Sequence, residues 1–203
     1  MALANFGLIF VGYGLLGLLG YFLSRKNGWP GIYKIGESWK NLLINPLKWG
    51  VVGGLFIIIG SRFFQLFHNL GELPHPTFPY SIAASFAAGI DEELLMRLLL
   101  MSFWAWILNL VFKRLNRKYF TDWIAVVIAA FVFGISHLAG PVYTFGFTSF
   151  SQIPVIFIVE MSVLNGFVGV VTGRQMIKYG FIAAVGVHFW ADIVWHVIYG
   201  SFV

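Results

Sequence analysis

The chain has 203 residues, of which 59% are hydrophobic, 19% aromatic and only 10% charged. A mean hydropathy of +0.84 is more apolar surface than one water-soluble core of this size can hide. A soluble enzyme, a disordered chain and a nucleic-acid-binding module are therefore excluded. Cysteine is absent, which removes disulfides, cysteine zinc sites and thiol nucleophiles. The pI of about 9.6 comes from 13 Lys+Arg against 8 Asp+Glu, so the position of each charge matters more than the balance.

A hydrocarbon layer of ~30 Å takes ~20 apolar helical residues to cross. Six segments qualify, at about 5–24, 47–66, 82–112, 123–138, 153–173 and 181–199. The first has no Lys or Arg before it and Arg25–Lys26 directly after it. That polarity is wrong for a signal peptide and predicts a retained first helix. The third is long enough to tilt or to run into the interface. The fourth is short but uncharged. With no repeat or low-complexity tract, the expectation is an all-α fold: a single multi-pass membrane domain over 1–203, an integral membrane helical bundle of about six spans in a cell membrane. Its functional core is expected at about 82–200.

The basic residues orient this bundle. Loop 25–48 holds Arg25, Lys26, Lys34, Lys40 and Lys48; loop 113–121 holds Lys113, Arg114, Arg117 and Lys118; loop 174–180 holds Arg174 and Lys178. These alternate connections carry 11 of the 13 basic residues, while 68–80 and 139–152 carry none. Both termini are therefore expected outside. The basic pI is a topology signal facing the anionic inner leaflet of the lipid bilayer.

Charges inside spans are costly and mark bundle interiors or water-filled cavities. Those left in or near spans are Arg62, Asp91, Glu92, Glu93, Arg97, Glu160 and Asp192, joined by His137, His188 and His196. Glu93 and Arg97 form an i,i+4 pair in the favourable order. Glu92 is turned ~100° from that stripe and is the less neutralised carboxylate, suited to a general base. Phe133 and His137 share a face of the fourth span, and His188, Asp192 and His196 make a ridge on the sixth. At ~1.5 Å per residue, His137, His188, Asp192 and Glu92 lie ~15–32 Å above the inner boundary, in the outer half, where one cavity can hold them. Each element has a bland reading too: an ion pair or hydrogen bond that only joins helices. Arg62 and Glu160 are expected either to pair across the bundle or, for Arg62, to snorkel outward.

The ordered set Glu92-Glu93-x-x-x-Arg97, Phe133-x-x-x-His137 and His188-x-x-x-Asp192 resembles the motifs of the CPBP intramembrane proteases, the CAAX prenyl endopeptidase and bacteriocin-processing (Abi) family. The resemblance covers about half the chain, 92–192. It implies a multi-pass endopeptidase without a cofactor. Glu92 and His137 would activate water, His188 and Asp192 would stabilise the oxyanion, and Glu93 and Arg97 would hold the glutamate helix, with Phe133 supporting. The implied partner is a peptide or membrane-protein substrate. Given the orientation, an external peptide or a transmembrane segment fits better than a prenylated cytosolic tail.

Three alternatives stand beside this. Glu92, His137 and His188 are reasonable Zn²⁺ ligands, although no His-Glu-x-x-His occurs. Gly134-Ile135-Ser136 resembles the Gly-x-Ser of rhomboid serine proteases, with His188 as base. Lastly, an immunity factor, scaffold or assembly partner in a membrane complex can keep such a fold without catalysis.

Overall fold

In hydrocarbon every backbone polar group has to be satisfied within its own segment, and the long apolar stretches accordingly fold as helices. The computed structural model describes residues 2–113 and 118–203, with the backbone alone for 2–10 and 141. The helices are α1 (Ala2–Lys26), α2 (Lys40–Phe64), α3 (Tyr80–Val111), α4 (Lys118–Ser136), a short α5 (Ala139–Thr144), α6 (Val155–Tyr179) and α7 (Phe181–Ser201). No strand occurs among the described residues. Five of these helices, α2, α3, α4, α6 and α7, are long and apolar enough to cross a membrane. The 25-residue α1 has a comparable length of ~37 Å.

Several helices outrun the hydropathy boundaries. α2 starts at Lys40 rather than 47, α4 at Lys118 rather than 123, and α6 ends at Tyr179 rather than 173. Lys48, Arg174 and Lys178 thus belong to helices instead of loops. Long basic side chains extend from a helix end into the interface while their stems stay on apolar surface, and cations favour a helix C-terminus. The last connection shrinks to Gly180, whose φ of 99° is a left-handed geometry that suits glycine. Arg114 and Arg117 of the basic loop lie outside the described residues.

The three basic connections meet at one end of the bundle. The Lys34 amide donates to the Tyr179 carbonyl at 2.9 Å, and the Phe181 and Ile182 amides donate to Gly31 and Ile32 at 2.9 and 3.0 Å. The segment after α1 thereby satisfies the first amides of α7, which have no partner within the helix. Nearby, Asn27 Nδ2 donates to the Ser102 carbonyl at 2.8 Å and Trp29 Nε1 to Asp122 at 3.3 Å. Asn109 bridges Asn27 and Thr121. These bonds tie the end of α1 to α3 and α4. At the opposite end, Leu70 and Leu73 of the 65–79 segment pack with Leu138, Ile153 and Phe157.

Without a hydrophobic drive between helices in lipid, close packing depends on small residues. α4 runs along α6, and α2 along α7. A Cβ at Gly134 of α4 would lie 2.7 Å from the Ser162 Cα of α6, and one at Gly50 of α2 would lie 2.6 Å from the Val187 carbonyl of α7. Two helices also change pitch. Leu94–Met101 of α3 and Ile193–Ile198 of α7 widen to i→i+5 turns. Each widening begins directly after an acidic residue, Glu93 and Asp192. Such turns recur at functional sites.

The Gly134 contact gives the first prediction. Gly134→Leu will lower stability by about 1–3 kcal/mol through overpacking. Gly14→Leu, where an added Cβ meets nothing within 4 Å, will change little. Thermal unfolding of the two purified variants in detergent micelles measures the difference.

Candidate active site

The site is assembled from α3, α4 and α7, backed by α6. On α3 the ~100° step per residue separates the adjacent glutamates. Glu93 points inward with Arg97, both side chains 0% exposed and 3.2 Å apart, whereas the Glu92 side chain is 38% exposed. Arg97 is stacked 4.2 Å above the centre of the Phe133 ring, the cation–π arrangement that favours a desolvated guanidinium. A Cβ at Gly169 of α6 would lie 2.9 Å from Arg97 Nη2, so glycine there makes room for the guanidinium.

The same Glu93 oxygen that faces Arg97 also receives His188: Nδ1 lies 2.9 Å from Oε1. A carboxylate accepts only, so Nδ1 carries the hydrogen. His137, the first residue beyond α4, is fixed likewise. Its Nδ1 is 2.8 Å from the Phe133 carbonyl, which leaves Nε2 of the neutral ring with its lone pair. That Nε2 lies 3.6 Å from Glu92 Oε2, and His188 Nε2 lies 3.9 Å from the same oxygen. His188 Nε2 is also 3.6 Å from Asp192 Oδ2. The Phe133 ring stands edge-on to His137 and His188, with centroids 4.5 and 5.5 Å away.

All seven residues expected from the motifs, Glu92, Glu93, Arg97, Phe133, His137, His188 and Asp192, are thus brought together. Glu92, Phe133, His137, His188 and Asp192 line a cavity of about 510 Å³, a size typical of ligand sites. A general acid–base pair beside a buried, charge-balanced cluster can activate water and stabilise a developing anion. Among the described residues, no three His, Asp or Glu side chains are grouped so as to hold a metal ion. Ser136 Oγ donates to the Phe133 carbonyl at 2.8 Å; it is bonded to its own helix rather than to a histidine.

Of the two outcomes expected for Arg62, pairing with Glu160 does not occur. Arg62 reaches Glu72 at 2.5 Å, and Glu160 reaches His68 at 2.8 Å. Both partners lie in the 65–79 connection, nearer to each charge than the charges are to one another. His196 lines the same cavity as His188 and Asp192, and its Nδ1 is 3.1 Å from Nδ1 of His75. Burial pushes the His75 imidazole below its ordinary value, against the pull of Glu72. His68, Glu72 and His75 had no helical periodicity to single them out. The one available signal was that two isolated span charges needed partners.

Glu93 and Arg97 generate a stability prediction. Removing one member of a buried ion pair costs about 3–5 kcal/mol, so Glu93→Gln or Arg97→Met will each lower the unfolding temperature sharply. The double variant will lose less than the sum of the two. A double-mutant cycle by thermal unfolding in detergent measures this coupling.

A family model described as type II CAAX prenyl endopeptidase, Rce1-like, matches residues 74–194. That span holds every residue of the cluster. No curated protein and no solved structure matches the chain. The matched region covers more than half of the 203 residues, and the chain belongs to the Rce1-like family of type II CAAX prenyl endopeptidases.

Proposed function

We propose that the protein is an intramembrane endopeptidase in which Glu92 and His137 together activate the attacking water. The observation that carries this reading is the 3.6 Å between Glu92 Oε2 and His137 Nε2. It is too long for a direct hydrogen bond and puts both atoms within reach of a single water held beside them. With His137 Nδ1 committed to the Phe133 carbonyl, both facing atoms are acceptors. A water beside them donates its hydrogens to the two and keeps its lone pairs for a carbonyl carbon. Glu92 takes a proton as the tetrahedral intermediate forms and returns it to the leaving amine.

His188 is the oxyanion donor in this reading. Its Nδ1 hydrogen is held by Glu93, so donation from Nε2 requires the doubly protonated ring. The carboxylates of Glu93, Asp192 and Glu92, at 2.9, 3.6 and 3.9 Å, are the counter-charges. Asp192 stands in a supporting place beside Nε2. Glu93, Arg97 and Phe133 position rather than react. The substrate is a peptide segment reaching the cavity from the membrane or from the face opposite the basic connections. Six spans with both termini on that opposite face are part of the same proposal.

Glu92→Gln and His137→Ala will each lower peptide cleavage by roughly 10²–10⁴-fold with unchanged unfolding temperature, while Ser136→Ala will retain it. Quantitative comparison of membrane peptides from wild-type and Glu92→Gln cells will reveal the uncleaved substrate. Identical peptide sets and an unchanged cellular phenotype in both catalytic variants would instead establish a non-catalytic role. Activity is also expected to survive chelation; lasting loss restored by Zn²⁺ would sink the metal-free mechanism.

A further inference from the structure

The cavity has a second charged wall. Glu160 of α6 lines it together with Ser61, Ser136 and Asn165, yet takes no part in the cluster around Glu92. α4 and α6 run antiparallel, and Gly134 abuts Ser162, which sets Glu160 at the level of Ser136 and His137. The partner of Glu160 is His68, with Nε2 2.8 Å from Oε2 and both side chains 3% exposed.

The hydrogen bonds of His68 decide which charge this pair carries. The Leu70 amide donates to His68 Nδ1 at 3.3 Å, so Nδ1 holds a lone pair and the neutral ring has its hydrogen on Nε2. Nε2 therefore donates to Glu160, and the formal charge of the pair is the carboxylate's alone. Arg62, the nearest basic residue in sequence to His68, is committed to Glu72. Among the described residues no lysine or arginine is in ion-pair contact with Glu160. A buried charge is costly until it is paired, and the open side of this carboxylate is the substrate cavity.

We infer that Glu160 is a subsite for a cationic group of the substrate: a lysine or arginine side chain near the cleaved bond, or a free α-amino group. This rests on the proteolytic reading above and gives it a substrate class. The remaining walls, among them Ile57, Leu95, Met96 and Leu164, take apolar residues. The preferred peptide is thus apolar with one positive charge.

The test measures binding apart from cleavage. Full-length Glu92→Gln protein in lipid nanodiscs is titrated with fluorescent N-acetylated peptides of Leu, Ala and Ser. These carry one Lys or Arg, or norleucine or Glu in its place; a further series is uncharged but has a free N-terminus. Peptides of one cationic series are expected to bind about tenfold or more tighter than the norleucine series. The series that does so tells side chain from terminus. The preference will vanish in Glu92→Gln/Glu160→Gln and persist in Glu92→Gln/His68→Ala, which removes the loop contact but keeps the charge. Equal binding of all series, or loss of the preference in both double variants, would overturn the subsite; the second result would make the pair a loop tie. The same peptides are offered to the wild-type enzyme. Selective binding without cleavage would overturn proteolysis and leave the cation site standing.

Discussion

An arginine enclosed within a helix bundle has to be neutralised where it stands, and the arrangement of this protein follows from that constraint. Arg97 has its counter-charge one turn away in Glu93, a π-face beneath it in Phe133, and a glycine beside it on α6. The three come from α3, α4 and α6. Glu93 then extends the set to α7 through His188. One buried cation thus fixes four helices relative to one another. Because a bare charge in this setting costs several kcal/mol, alternative helix arrangements that separate these groups are strongly disfavoured.

The polar groups divide between the two ends. At the basic end, amides and hydroxyls such as Asn27, Asn109 and Thr121 bond to one another and to backbone. At the other end, Glu92, His137, Glu160 and Asp192 line an open cavity. Those hydrogen bonds hold the helices together in the first case. In the second, partly unused donors and acceptors face the cavity. The 65–79 segment joins the two functions, since His68 and His75 reach α6 and α7 while Leu73 and Pro74 line the cavity.

Much of this was legible in the residues. Helical periodicity separated Glu92 from the Glu93–Arg97 pair, and the structure keeps them apart because neither acid can rotate without dragging α3. The motif residues meet at one site, although helix rise counted from the inner boundary spreads them over ~15–32 Å. The partners of Arg62 and Glu160 were not legible: they come from a connection without periodicity, and which loop residue meets which charge depends on how the chain returns between α2 and α3. The helix ends were misread at Lys118, Arg174 and Lys178 for a related reason. Hydropathy averages treat a basic residue as loop, although its stem continues the helix and only its head leaves the apolar layer.

The wide turns after Glu93 and Asp192 bear on how such a site can persist while its bundle changes. In an unbroken helix, the angular phase of a catalytic side chain is locked to that of every residue below it. A stretch of i→i+5 turns acts as a phase shifter. The part of α3 bearing Glu92 and Glu93 keeps its orientation toward His137 and α7, while the part beyond Met101 meets α1 and α4 on a face of its own. The register that chemistry demands and the register that packing demands then become two separate settings along one helix, each adjustable without disturbing the other.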